Sequence, residues 1–216
     1  MKFESITMEN FMRYKGRNHI EFSCDDVKNV TVVLGDNTVG KTTIAQAFRW
    51  GLYGALMANG TKSAGDFQLL NTDILEMMDA NSRAKVKVEI AAVDEEKRYI
   101  ITRETTYTRA FPKLESREFQ KKCAMRITEL EDMESYVEVD SNEIETLINE
   151  LFPKNLSHYF LFDGERWNDV SVGGVRENIK ESVHILTGLS AYREAKNHLK
   201  DMGSNSVIKK FRSEIK

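Results

Sequence analysis

The stretch that most constrains the fold is residues 30–43, with the sequence VTVVLGDNTVGKTT. Its first five residues are apolar or β-branched, and such a run predicts a strand that is buried on both faces. The next eight residues match the phosphate-binding pattern GxxxxGK(S/T) without a mismatch. With Thr43 added, the candidate loop is Gly35, Asp36, Asn37, Thr38, Val39, Gly40, Lys41, Thr42 and Thr43.

The chemistry of phosphate binding explains this spacing. Gly35 and Gly40 allow the backbone to turn tightly, so that its N–H groups can surround phosphate oxygens. A helix that begins near Gly40 would point the positive end of its dipole at the anion. Lys41 would reach the β- and γ-phosphates of ATP, and the Thr42 hydroxyl would bind Mg²⁺.

The flanking sequence distinguishes a nucleotide site from a glycine-rich turn that merely precedes a helix. A phosphate loop needs a strand before it and a helix after it, and both patterns are present. After Thr43, apolar residues recur at helical spacing until Gly54 ends the pattern. These residues are Ile44, Ala45, Ala47, Phe48, Leu52 and Tyr53.

Composition excludes some classes of protein. Lys and Arg total 31 against 34 Asp and Glu, which gives a net charge of −3, so any contact with DNA must come from a local basic patch. Cys24 and Cys123 fit no metal-binding spacing, and no apolar run is long enough to span a bilayer. We therefore expect reduced thiols in a cytoplasmic protein that does not act at a membrane.

Two strand patterns precede the loop, at residues 2–11 and 19–22, and a basic turn at residues 14–17 joins them. The opening MKFESITMENFMRYKGRNHIEF, the loop GDNTVGKTT and the helix AQAFRWGLYG resemble the N-terminal half of the ATPase head in SMC-like proteins. This group includes the SMC proteins, RecF, RecN and the DNA phosphorothioation-associated ATPase DndD. The resemblance implies an α/β P-loop NTPase, specifically lobe I of an ABC-type head. It places Arg13 beside the bound nucleotide, although an exposed arginine in a turn needs no function.

The middle of the chain predicts an antiparallel β subdomain at residues 84–139. Residues 84–108 alternate as a hairpin with its tip at 94–96. Residues 90–95 resemble a Walker B strand, but charges alternate with the apolar residues leading into them, which favours the hairpin. A second strand pair is predicted at residues 125–130 and 136–139, followed by a helix that Asp140 caps, with Glu143 at the capping-box position. Before the hairpin, we predict a loop at residues 55–65, with Lys62 as a candidate nucleotide or DNA contact, and a short helix within 66–79.

Residues 158–167, HYFLFDGERW, form the second informative stretch. An apolar strand pattern ends there at Asp163, and the segment is similar to the Q-loop of SMC-like proteins. DndD-like proteins also have DGE at this point. The resemblance implies that Asp163 contacts Mg²⁺ and the attacking water, and a carboxylate is a suitable Mg²⁺ ligand. The alternative is a tight turn after a strand.

The remaining residues predict a linker and helices. SVGG at 171–174 resembles a signature motif interrupted by Val172, and we interpret it as a linker. The patterns that follow are typical of the root of a coiled coil. We therefore divide the chain into an N-terminal head lobe, residues 1–170, and a linker with helices, residues 171–216.

The chain contains neither a convincing Walker B pair nor a signature loop. The resemblance implies that both come from a C-terminal lobe, that two heads dimerise when ATP binds, and that hydrolysis acts on DNA in repair or in defence against foreign DNA. Accessory or effector nuclease subunits are left open as further partners. Two alternatives stand beside this reading: a self-contained P-loop phosphotransferase, and a nucleotide-sensing module without turnover.

Overall fold

The computed structural model describes residues 1–36, 39–56, 68–80, 82–94, 96–110, 115–132, 134–154, 157 and 161. All of them belong to one compact unit, Met1–Phe162. Its described elements are β1 (Lys2–Phe11), β2 (Tyr14–Glu21), α1 (Lys41–Tyr53), α2 (Thr72–Met77), β3 (Arg83–Asp94), β4 (Lys97–Ala110), β5 (Glu115–Glu129), β6 (Val137–Glu138) and α3 (Ile144–Leu151). No helix among these residues is long and apolar enough to cross a membrane.

The strands of the described residues form one antiparallel sheet in the order β2-β1-β3-β4-β5-β6. Alternation of apolar and polar residues gives this sheet one face that packs against α1. Gly51 shows how close the approach is, because a Cβ there would lie 2.7 Å from Ile90 Cδ1 and 3.0 Å from Val88 Cγ1. A glycine at this position therefore lets α1 lie directly on β3, and this contact fixes the loop that precedes α1.

The structure confirms the predicted strand β1 and the predicted β3–β4 hairpin, but the turn before β2 lies earlier than predicted. β1 has the predicted bounds, and β3 pairs antiparallel with β4 up to the pair Asp94–Lys97, so residues 90–94 belong to the hairpin and form no Walker B strand. The basic turn predicted at residues 14–17 is wrong, because these residues already belong to β2. The chain reverses earlier, where Asn10 and Met12 adopt positive φ angles of 51° and 50°.

The apolar run at residues 30–34 is the main departure from prediction. No strand forms there, and the side chains of Val30, Val32 and Leu34 are 76%, 70% and 87% exposed. The prediction of a strand buried within this chain is wrong, because none of the six described strands pairs with the run. Without neighbouring strands, a sequence suited to the inside of a sheet has nothing to pack against.

The predicted N-terminus of α3 is also wrong by about one turn. Asp140 Oδ1 accepts a hydrogen bond from the Asn142 N–H, and the Asp140 carbonyl accepts bonds from the Glu143 and Ile144 N–H groups. Asp140 therefore caps a turn at residues 141–143, and the helix itself begins at Ile144. Glu143 makes no capping bond with its side chain.

Candidate nucleotide-binding site

The described part of the phosphate loop is shaped by its two glycines. A Cβ on Gly35 would lie 2.7 Å from Val39 Cγ2, so the two ends of the loop approach each other closely. Gly40 has φ +113°, which L side chains rarely adopt. Asn37 and Thr38 lie outside the described residues. A side chain at Gly35 would therefore clash with Val39, and a side chain at Gly40 would strain the backbone.

Lys41 connects the beginning of the loop to the helix. Its Nζ donates hydrogen bonds to the carbonyl of Gly35 and, at 2.6 Å, to the carbonyl of Asp36. The side chain is exposed. The ammonium group is thus held by the loop backbone on the surface, where a phosphate group can reach it.

The first turn of α1 offers further groups to an anion. Thr42 is exposed, whereas Thr43 is buried, so the hydroxyl of Thr42 is the one available for a metal ion. The first helical hydrogen bond runs from the Ile44 N–H to the Gly40 carbonyl at 3.3 Å. The preceding N–H groups have no partner inside the helix, and the first turn carries no acidic residue. This arrangement fits a triphosphate with Mg²⁺, because N–H donors, an ammonium and a hydroxyl are its usual ligands.

The β1–β2 turn lies against the phosphate loop. A Cβ on Gly40 would be 3.5 Å from both Arg13 Cβ and the Tyr14 ring. The Tyr14 hydroxyl donates a hydrogen bond to the Gly40 carbonyl at 3.3 Å. Burial raises the pKa of Tyr14, which keeps this hydroxyl protonated as a donor. The structure thus brings exposed Arg13 beside the loop, and contact of its guanidinium with nucleotide remains a prediction.

Asn71 holds this turn in place, and sequence reasoning missed it. Its Nδ2 donates a hydrogen bond to the Met12 carbonyl at 2.7 Å, and its Oδ1 accepts from the Asp73 and Ile74 N–H groups at the start of α2. The Asn71 backbone N–H also donates to the Asn10 carbonyl at 2.9 Å. The signal in the sequence is an asparagine one residue before a helix, a common capping position. Nothing in the sequence indicated the hydrogen bond from Asn71 to the Met12 carbonyl.

We expect Asn71→Ser to weaken ATP binding about fivefold, because the Met12 bond is lost while serine can still cap α2. Asn71→Ala should weaken ATP binding to the same extent and additionally cost about 1 kcal/mol of stability through loss of the cap. Calorimetric titration with ATP and chemical denaturation measure the two effects separately. Unchanged ATP affinity in both variants would show that this turn does not influence the nucleotide site.

Buried Arg49 connects α1 to the last described residues. Its Nε donates to the Leu161 carbonyl at 3.0 Å, and its Nη2 donates to the Ser157 carbonyl at 3.3 Å. The predictions for Lys62, for Asp163 and for the helices of residues 171–216 fall outside the described residues. Among the residues that are described, no group of three or more His, Cys, Asp or Glu side chains could hold a metal ion.

A protein-family profile described as AAA domain matches residues 5–214. The chain belongs to the AAA domain family. This membership agrees with the phosphate loop and the mixed α/β architecture, and it confirms the prediction of a P-loop NTPase fold. The AAA domain match covers nearly the whole chain, including residues beyond those that the structure describes.

This chain is also similar to a solved chain from work titled structural biochemistry of ATP-driven dimerization and DNA stimulated activation of SMC ATPases. The two share 14% sequence identity at a TM-score of 0.45, over 83% of this chain and 96% of the solved chain. No curated protein matches the sequence.

Proposed function

We propose that this chain is the N-terminal lobe of an SMC-like, ABC-type ATPase head, most similar to DndD-type ATPases. The observation that carries the proposal is the phosphate loop at the start of α1. There the loop carbonyls hold the exposed Lys41 ammonium, Thr42 is exposed, and the first N–H groups of α1 have no partner within the helix. ATP with Mg²⁺ is the ligand that this combination of cation, hydroxyl and backbone donors suits best.

Each residue of the site has a distinct task in this proposal. Lys41 neutralises charge on the β- and γ-phosphates, and the N–H groups of residues 35–43 surround their oxygens. Thr42 is a ligand of Mg²⁺, the ion that would neutralise further phosphate charge when bound. Arg13 contacts the nucleotide from the β1–β2 turn that Tyr14 and Asn71 hold in place. Asp163 supplies a second Mg²⁺ ligand and orients the attacking water.

The exposed apolar run at residues 30–34 supports the further proposal that this lobe is incomplete alone. A run of this kind is stable inside a parallel sheet, where strands flank it and both faces are covered. The described strands leave it without a neighbour. A C-terminal lobe would supply those strands, together with the Walker B carboxylates and a signature loop.

Two completed heads would then close around ATP, and hydrolysis would separate them. This cycle would move coiled-coil arms on DNA in the cytoplasm, during DNA repair or defence against foreign DNA. Accessory or effector nuclease subunits would be further partners of this ATPase. ATP would make all of its contacts only in the closed pair of heads, so the fraction of dimer would rise with the concentration of MgATP.

The test mixes the full chain with the C-terminal lobe and measures mass by light scattering and phosphate release, with and without DNA. We expect dimers only with MgATP, slow hydrolysis, and faster hydrolysis when DNA is added. Binding of ATP without any turnover would support a nucleotide-sensing module instead. Transfer of phosphate to a small acceptor by this chain alone would support a phosphotransferase and contradict the proposal.

A further inference from the structure

The face of the sheet that is turned away from α1, here called the outer face, carries charged side chains. Val88 and Ile90 approach Gly51 of α1, so the alternating residues Lys87 and Glu89 of β3 lie on the opposite face. The register of β4 and β5 extends this face across the sheet. Its two ends differ in how their charges are compensated.

At the end near the β3–β4 tip, the cations of the outer face have carboxylate partners. Arg98 pairs with Glu4, and Arg126 pairs with Glu138 at 3.5 Å. Nearby, Lys97 pairs with Glu129 at 3.5 Å. This end is a set of compensated ion pairs, as expected for a face that only meets water.

The other end has an excess of positive charge. Three rows of residues cross β3, β4 and β5 there: Arg83, Thr108 and Arg117; Lys85, Thr106 and Gln120; Lys87, Glu104 and Lys122. Lys85 pairs with Glu104 at 2.9 Å and Lys87 with Glu89 at 2.9 Å. Arg83, Arg117 and Lys122 are exposed and make no ion pair with any residue that the structure describes.

An exposed aromatic ring lies among these cations. Phe119 occupies the irregularity in the pairing of β4 with β5, between the pairs Tyr107–Glu118 and Thr106–Gln120, and is 54% exposed. The guanidinium carbon of Arg83 lies 3.8 Å from the centroid of its ring. A bulge of this kind redirects a side chain out of the regular sheet. The result is an aromatic surface with a cation on one side.

We propose that Arg83, Lys85, Arg117, Phe119 and Lys122, here called the basic-aromatic surface, bind single-stranded DNA. Cations that track the backbone around an aromatic ring that stacks on a base are the usual components of such sites. The inference rests on the proposed function, because it locates the DNA contact of that ATPase.

Binding of a fluorescent oligothymidine to the full chain, measured by anisotropy over a series of salt concentrations, tests the proposal. The double charge reversal Arg117→Glu with Lys122→Glu should weaken binding at low salt by at least about 30-fold. Removal of two phosphate contacts should also reduce the slope of log affinity against log salt by about 1.4, at about 0.7 for each contact on a single strand. Phe119→Ala should weaken binding about tenfold, through loss of one stacked base.

Lys97→Glu is the matched control, because it reverses an exposed cation on the same sheet at the compensated end. It should change affinity by less than twofold. Equal binding by all variants, or an equal loss in the control, would overturn the proposal. Equal affinity for polyglutamate, with the same loss in the charge-reversal variant but not in Phe119→Ala, would assign the surface to an acidic protein partner and also overturn it.

The proposal of a DNA-binding surface can fail in these experiments without contradicting the proposed function. The charge-reversal variant should retain wild-type affinity for ATP, because its substitutions lie outside the nucleotide site. If it binds oligothymidine normally while MgATP still drives dimerisation of the completed heads, only the location of the DNA contact is wrong. Absence of ATP binding in the wild-type chain would contradict the proposed function instead.

Discussion

Replacing Lys41 by alanine should weaken MgATP binding by about 100-fold while the fold stays intact. A charge-assisted hydrogen bond contributes about 1.5–3 kcal/mol, and about 2.7 kcal/mol corresponds to a 100-fold change in affinity. Lys41 is exposed and its present partners are backbone carbonyls of the loop. Its removal therefore costs binding energy and leaves the α1–sheet core unchanged.

Thermal stability provides an independent measurement of the same loss. At an ATP concentration of 100 times the dissociation constant, the wild-type chain should gain about 2.7 kcal/mol of stability from the ligand. At that concentration a variant that binds 100-fold more weakly should gain only about 0.4 kcal/mol. Lys28→Ala removes another exposed lysine from the same half of the chain and should retain the full gain. An unchanged gain in Lys41→Ala would contradict a phosphate-binding role for this side chain.

Local patterns predicted the elements whose neighbours lie within this chain. The alternation of apolar and charged residues around Val86 and Val88 predicted the β3–β4 hairpin. The motif from Gly35 to Thr42 predicted the phosphate loop and the start of α1. Charged alternation before residues 90–95 correctly excluded a Walker B strand. In each case the residues that determine the structure are close in sequence to the residues they position.

Other features depend on partners that local patterns do not reveal. β5 begins at Glu115, ten residues before the predicted start, because pairing with β4 imposes strand conformation on a charge-rich segment. Asn71 and Tyr14 contribute through contacts with Met12 and Gly40, and no motif contains these pairs. Positions of this kind are found only once the register of the sheet and the path of the chain are known.

The run at residues 30–34 shows the same limit most clearly, because no described strand pairs with it and our proposal places its neighbouring strands in another lobe. We expect Val32→Asp to change the stability of this chain alone by no more than about 0.5 kcal/mol, as is usual for exposed positions. Val32 is 70% exposed and belongs to no strand. Denaturation of the variant chain alone measures this first effect.

The same substitution should prevent completion of the head. If a C-terminal lobe places strands beside residues 30–34, the new carboxylate must be buried or protonated, and uncompensated burial of a charge costs several kcal/mol. Binding of the C-terminal lobe should then weaken by at least about 100-fold in calorimetric titration, and ATP hydrolysis by the mixture should be lost. Val27→Asp introduces the same charge at a residue that is 88% exposed and outside the run, so it should bind the lobe normally. Normal assembly of Val32→Asp, or unfolding of that chain on its own, would contradict the proposal that this run is the inner strand of a sheet built from two lobes.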